Sequence, residues 1–419
     1  MAITKRGLVL GATAVAVAAV TVTGAGIHLS QGQAFFRESP KELVDEVWQL
    51  IDRHYVDATF NQVDWAAVRM SYLDRSYGNR EEAYDAIREM LEQLEDPYTR
   101  FMDPQEFRNM QIDTSGELTG VGIQISQDEE TNDILVVAPI EDTPAFDVGV
   151  RARDVIVAID EESTEGMDLN AAVTRIRGPV GSSVTLTIRR DDQLIDFVIE
   201  RARIEIHPVR YTYQSGDEGG IGYIRLTQFS ANAASEMRDA IQDLEKQDVI
   251  GYILDLRSNP GGLLYSSIDI ARMWLEDGNI VSTVDRKGIV DEEAANNRAL
   301  TDLPLVVLVD GGSASASEIL SGALQDNERA LLVGTQTFGK GLVQSVRGLP
   351  DGSGIAITVA KYLTPNGRDI HLLGIQPDVL VELSAEDRKA LSKDQRKIGT
   401  LEDPQYLRAL DVLSAKVSG

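Results

Sequence analysis

The sequence contains no cysteine, which removes disulfides, cysteine nucleophiles and thiolate metal sites together. Histidine is scarce: there are 4, one of them His28 near the amino terminus, so histidine chemistry has few candidates. No H-E-x-x-H or comparable clustered ligand set occurs, so no metal site and no cofactor are expected. Basic residues are outnumbered, 40 against 67 acidic, for a net charge of −27. That sign repels a phosphate backbone and an anionic lipid surface and argues against nucleic acid as a partner. What is present, 43% hydrophobic and 26% charged residues, suits a folded chain of about two to three domains.

A long apolar run occurs only at the amino terminus. Lys5 and Arg6 precede the almost wholly small and apolar stretch Gly7 to Leu29, which ends near Gly32-Gln33-Ala34. This is the layout of a secretory signal, with Ala34 as the cleavage candidate. The run also reaches the roughly 20 apolar residues that a membrane span needs. Residues 1–34 are therefore expected to be a signal peptide or a single membrane anchor.

The chemistry is concentrated between Leu305 and Gln344. Leu305-Val306-Val307-Leu308-Val309 reads as a buried strand, broken by the turn residues Asp310-Gly311-Gly312. Ser313-Ala314-Ser315-Ala316-Ser317-Glu318 then opens an apolar-periodic segment that runs on through Leu324. A helix is thus entered from a strand through a serine-rich turn. A serine there is rigidly held near a helix N-terminus, whose unpaired N–H groups can stabilise an oxyanion. The same residues carry a plainer reading, because Ser315 and Glu318 match the S-x-x-E of a capping box. Spacing leaves Ser313, Ser315 and Ser317 all open as the reacting hydroxyl.

Ala330 to Gly334 reads as another buried strand, followed by Thr337-Phe338-Gly339-Lys340-Gly341. A lysine held against apolar surroundings has its charged form disfavoured, and a neutral amine can take a proton from a serine hydroxyl. Gln344 shares a face with Lys340 at that spacing, and its amide can orient the amine.

These residues resemble the active-site signature of the carboxyl-terminal processing peptidases, also called tail-specific proteases. The resemblance implies that Ser315 is the nucleophile, Lys340 the general base and Gln344 the residue that positions the lysine. It also assigns an oxyanion hole to a glycine N–H, Gly262 ahead of Gly261, together with the N–H of Ala316. Gly262 lies in Arg257-Ser258-Asn259-Pro260-Gly261-Gly262-Leu263, which on pattern alone is equally an ordinary strand-to-helix turn.

Thr114 to Arg203 resembles a PDZ domain, a module that adds an extended peptide to its sheet edge and pockets a terminal carboxylate. Its carboxylate loop is expected at Gly120-Val121-Gly122-Ile123, with Ser183 to Arg190 as the closing strand. One departure stands out: Arg153 precedes Asp154 where the family usually has glycine.

The expected architecture is a multi-domain α/β chain, with an α/β serine-peptidase core of tail-specific protease type, an inserted PDZ domain and a helical N-terminal region. The boundaries are 38–113 for the helical region, 114–203 for the PDZ domain, 204–385 for the core and 386–419 for a C-terminal helical segment. That last segment is expected to pack on the amino-terminal helices, and His54 to be structural. By resemblance the substrates are exported polypeptides with free apolar carboxyl-terminal tails, in the periplasm or thylakoid lumen. One branch of the family matures the photosystem II reaction-centre protein precursor. Two other readings stand beside this one: a Ser-His-Asp hydrolase using His371 with Asp378 or Asp310, and a catalytically silent PDZ adaptor.

Overall fold

The computed structural model describes residues 39–417, apart from 129–130, 141, 192, 217–218 and 289. The leader expected at 1–34 lies outside the described residues. Among those described, no helix is long and apolar enough to cross a membrane.

The chain divides into two compact units, one of which combines the residues up to Phe107 with Thr283–Val290 and Leu342–Tyr362. Its helices are Pro40–His54, Trp65–Leu73 and Arg80–Glu92. Ser39 and Glu42 close a capping box at the first of them, ahead of Pro40 in the first turn. The stripe Leu43, Val44, Val47 and Ile51 packs with Ala83, Ile87 and Met90, and Ile355 and Ile357 join the same core. The sheet strands Arg100–Met102 and Leu342–Gly348 both pair antiparallel with Gly354–Leu363. Residues 204–385, read from sequence as one core, thus contribute to both units. His54 ends the first helix, where burial and the charges of Arg347, Arg286 and Arg53 lower its pKa.

The other unit holds the α/β core. Val209–Gly216 pairs antiparallel with Gly219–Leu226, which continues into parallel partners Val249–Asp255, Leu305–Val309, Ala330–Gly334 and Val379–Leu380. Helices Ala233–Glu245, Leu264–Trp274 and Ala316–Asp326 follow successive strands, as parallel connection requires. Val306 and Leu308 pack on one face with Tyr406, Ala409, Val412 and Leu413 of helix Pro404–Val417. Because both faces are covered, every residue of Leu305–Val309 is buried, which is why that strand reads as an unbroken apolar run. The C-terminal helix therefore covers the core sheet, where the sequence had suggested the amino-terminal helices. Its apolar stripe matches the open sheet face.

The PDZ strands run in the order Ile123–Gln127, Ile134–Pro139, Val155–Ile159, Ser183–Arg190, Gln193–Glu200. Ser183–Arg190 is interior, and Gln193–Glu200 closes the sheet in its place. Arg153 takes φ +72°, a left-handed conformation that glycine adopts without penalty, which accounts for the glycine usual there. Asp154 beside it is buried against Arg190 at 2.6 Å.

Candidate active site

Strand Leu305–Val309 delivers the chain to a turn organised by Asp310, whose Oδ1 accepts the N–H groups of Ser258 at 2.8 Å and Gly312 at 2.9 Å. The three serines left open by spacing now separate. The Ser313 hydroxyl is buried, donating to the Leu256 carbonyl at 2.8 Å and accepting from the Asp310 N–H at 2.9 Å. Ser317 is buried too and donates to the Asn259 carbonyl at 2.9 Å. Ser315 is partly exposed at the N-cap of helix Ala316–Asp326, with φ 55° and ψ −113°. That conformation costs a non-glycine residue about 1–3 kcal/mol, and such strain persists where the surroundings over-determine it, often at reactive sites.

Glu318 is what over-determines it. Its buried carboxylate accepts four hydrogen bonds: Oε1 from the Thr337 hydroxyl at 2.6 Å and the Gly339 N–H at 2.7 Å, Oε2 from the N–H groups of Ser315 and Lys340, both at 2.9 Å. The backbone nitrogens of Ser315 and Lys340 share one oxygen, so they lie no further apart than twice that distance. Two segments that sequence reading had linked only by resemblance are thus joined at a single side chain. The capping box accounts for the Ser315 contact alone. Phe338 adds another tie, its N–H donating to the Ser313 carbonyl at 3.1 Å.

The glycine turn is fastened to the same place by Asn259. Its Nδ2 donates to the Leu226 carbonyl at 2.8 Å, its Oδ1 accepts the Gly261 N–H at 2.9 Å, and its carbonyl accepts the Ala314 N–H at 3.0 Å. The Gly261 N–H is thereby occupied. The N–H groups of Gly262 and Ala316 have no acceptor among the described residues. Gly262 takes φ +143°, and a Cβ there would lie 2.3 Å from the Phe229 carbonyl oxygen, so no side chain fits. A Cβ on Gly261 would come within 2.9 Å of the Ala316 nitrogen; the turn abuts the start of the serine helix.

Beneath this turn lies a buried ionic cluster that sequence reading missed. Arg257, directly before Ser258, bonds Asp255 at 2.6 Å and Asp403 at 2.7 Å, with Gln405 at 3.0 Å. Tyr223 donates to Asp255 at 2.7 Å. Burial pushes the Asp255 carboxyl up, but the Arg257 guanidinium beside it more than offsets this and holds it below the usual range. Burial likewise disfavours the Arg257 charge, which Asp255 and Asp403 nonetheless hold well above its ordinary value. A charged pair closing an apolar strand, Asp255 and Arg257, was the available signal.

The cluster makes a signed prediction. Arg257→Met leaves two buried carboxylates facing each other and is expected to cost about 3–5 kcal/mol at neutral pH. Without the guanidinium, at least one carboxyl has a folded pKa above its unfolded value of about 3.9. Its contribution is then complete below that value and is lost as pH rises, so the deficit against wild type grows from pH 4 to pH 7. Equilibrium denaturant unfolding of both proteins across that range measures it; a constant deficit would contradict the electrostatic account.

Gln344 lies on strand Leu342–Gly348 in the first unit, opposite Thr358, with the register shifting between Val343 and Gln344. Simple alternation from Lys340 does not set its direction across that irregularity. Its Nε2 is buried and has no hydrogen-bond partner among the described residues. Lys340 is partly buried in the second unit. His371 sits against Gly341, where a Cβ would meet the His371 nitrogen at 2.8 Å. Asp378 accepts instead from the Leu332 N–H at 2.7 Å and from Gln325 at 3.2 Å. Asp310 serves the turn described above.

In the PDZ module, Gly120 ends strand Glu117–Gly120, Val121 is buried, and Gly122 takes φ +83° before strand Ile123–Gln127. The Gly122 carbonyl accepts the Ile140 N–H at 2.8 Å and the Val121 carbonyl the Ala145 N–H at 2.9 Å. Strand Ile123–Gln127 pairs on one side only in its sheet, leaving an edge of the kind that accepts an added strand.

A strained serine at a helix start on an α/β core, with a second module that has an open sheet edge, fits a serine-type peptidase with a peptide-binding domain. Family models agree: peptidase family S41 matches residues 220–381, a PDZ domain 135–190 and the tricorn protease C1 domain 36–92. A carboxyl-terminal-processing protease of Synechocystis sp. is 47% identical over 386 residues, spanning 91% of this chain and 88% of the relative. The chloroplastic carboxyl-terminal-processing peptidase 3 of Arabidopsis thaliana is 41% identical over 349 residues, 80% and 67% of the two chains. A solved photosystem II D1 C-terminal processing protease matches with TM-score 0.57 at 37% identity, over 88% of this chain and 100% of that one. The chain belongs to the carboxyl-terminal processing peptidases of family S41, serine endopeptidases that carry a PDZ domain.

Proposed function

We propose that this enzyme cleaves exported polypeptides near their carboxyl termini by a Ser-Lys mechanism, with Ser315 as nucleophile and Lys340 as general base. Neutral Lys340 Nζ takes the proton from Ser315 Oγ as the oxygen attacks the scissile carbonyl carbon. The Gly262 and Ala316 N–H groups stabilise the oxyanion. Lys340 then gives the proton to the leaving amine, and an ester to Ser315 remains. Water, deprotonated by Lys340, attacks that ester; the C–Oγ bond breaks, Lys340 returns the proton to Ser315 Oγ, and the acid product leaves. The observation that carries the reading is the Glu318 oxygen shared by the Ser315 and Lys340 N–H groups.

Substrate is selected by a free apolar tail bound along strand Ile123–Gln127, with its carboxylate at the loop Gly120 to Ile123. The enzyme acts outside the cytoplasm, in a periplasm or thylakoid lumen. A photosynthetic protein precursor with a carboxyl-terminal extension is the first natural substrate to test. Amidating the tail of a model substrate removes the carboxylate and is expected to lower kcat/KM by about tenfold to a hundredfold, the worth of hydrogen bonds to a charged group. Equal kcat/KM for acid and amide would exclude tail recognition at that loop.

His371→Ala is expected to keep kcat within about tenfold of wild type, because no histidine takes part in the proton transfers. A loss as deep as that of Lys340→Ala would favour the histidine triad.

A further inference from the structure

Three large apolar side chains stand exposed beside the lysine turn: Phe338 at 56%, Leu372 at 79% and Leu373 at 65%. They lie on two segments fastened backbone to backbone. The Leu372 N–H donates to the Gly339 carbonyl at 2.8 Å, the Thr337 N–H to the Ile375 carbonyl at 3.1 Å, and the Gln336 amide bonds the Leu373 carbonyl. A Cβ on Gly339 would fall 2.9 Å from the Gly374 nitrogen, and one on Gly341 2.8 Å from the His371 nitrogen. No space remains between the segments, so their larger side chains turn outward. This explains direction and leaves side-chain type unexplained, since polar residues would sit there equally well.

Type and conformation both point to a ligand. Leu372 takes φ +62°, which side-chain-bearing residues rarely adopt and glycine adopts freely. An exposed leucine in that conformation is unfavourable to folding on two counts. Such residues persist where function requires them, and adjoining exposed apolar groups mark contact surfaces.

We propose that Phe338, Leu372 and Leu373 form an apolar rim that receives large apolar side chains of the substrate polypeptide beside the scissile bond. The inference rests on the peptidase reading above. The rim is continuous with the site: Phe338 bonds the Ser313 carbonyl, and Leu372 bonds the residue before Lys340. A chain whose carbonyl sits at Ser315 thus has this rim as its neighbour. The substrate class is therefore a segment with leucine, phenylalanine or methionine next to the cleaved bond.

The test uses matched peptides with leucine or serine next to the cleaved bond, and the full-length enzyme as wild type, Leu372→Ser/Leu373→Ser and Leu372→Gly. Labelling of Ser315 by a serine-directed covalent probe counts active sites, so a poorly folded fraction does not enter the rates. Leu372→Gly removes the side chain while suiting the backbone conformation, which guards against misfolding. Wild type is expected to prefer leucine over serine by about tenfold or more in kcat/KM, the scale of apolar pocket discrimination. The preference is expected to fall within about twofold in the double variant and to an intermediate value in Leu372→Gly. An undiminished leucine preference in both variants, with Ser315 labelled, would overturn the rim alone. No labelling and no cleavage by wild type would overturn the peptidase reading and the rim with it.

Discussion

Lys340→Ala is expected to lower kcat by roughly 10²–10⁴-fold while KM moves little, the range for losing a positioned general base. The substitution leaves the backbone intact, so the Lys340 N–H still reaches Glu318 and the serine elbow keeps its support. What disappears is the amine alone. Lys340→Arg sharpens the point, because a guanidinium supplies the same charge and cannot be neutral at any working pH. If the residue acts as a base, arginine restores nothing; if it acts only as a positive charge, arginine restores much of the activity. Wild-type kcat/KM should also rise with pH as the amine sheds its proton, and that limb should vanish from Lys340→Ala. Steady-state kinetics of the three proteins across pH decides between the roles.

Glu318→Gln is expected to cost on the order of 10²-fold or more in kcat/KM, because positioning errors of this kind slow catalysis steeply. The carboxylate accepts four hydrogen bonds on two oxygens. An amide keeps one oxygen and turns two donors toward the other pair, so either the Ser315–Lys340 pair or the Thr337–Gly339 pair loses its acceptor. Each buried donor left without one costs about 1–3 kcal/mol, and the strain at Ser315 can relax at the expense of the site. Activity should therefore fall together with stability in denaturant unfolding. A variant with full activity would mean that other contacts hold the elbow.

The residues carrying this chemistry were legible where local pattern decides structure. Leu305–Val309 announces a strand covered on both faces, the glycines after it a turn, and the serines a helix start. The roles of Asn259 and Glu318 were hidden, since each bonds groups distant in sequence and pattern sees only neighbours. Glu318 looked like a capping residue because it also is one, through Ser315. The Arg257–Asp403 contact joins residues 146 positions apart, so the buried cluster under the glycine turn left no local trace beyond two charges at a strand end. The C-terminal segment was readable as helical, but a helical pattern alone does not name the face it covers. Leu372 and Leu373 gave no signal, because exposure and a left-handed φ belong to the folded backbone.

The most direct test of the central claim is intact-mass and peptide-mapping mass spectrometry of an unstructured protein with a free apolar tail, incubated with wild type, Ser315→Ala and Lys340→Ala. Cuts near the carboxyl terminus by wild type alone, with an ester to Ser315 trapped on rapid acid quench, are the predicted result. Cleavage by Lys340→Ala at the wild-type rate would move the base elsewhere. Cleavage by Ser315→Ala would contradict the account outright.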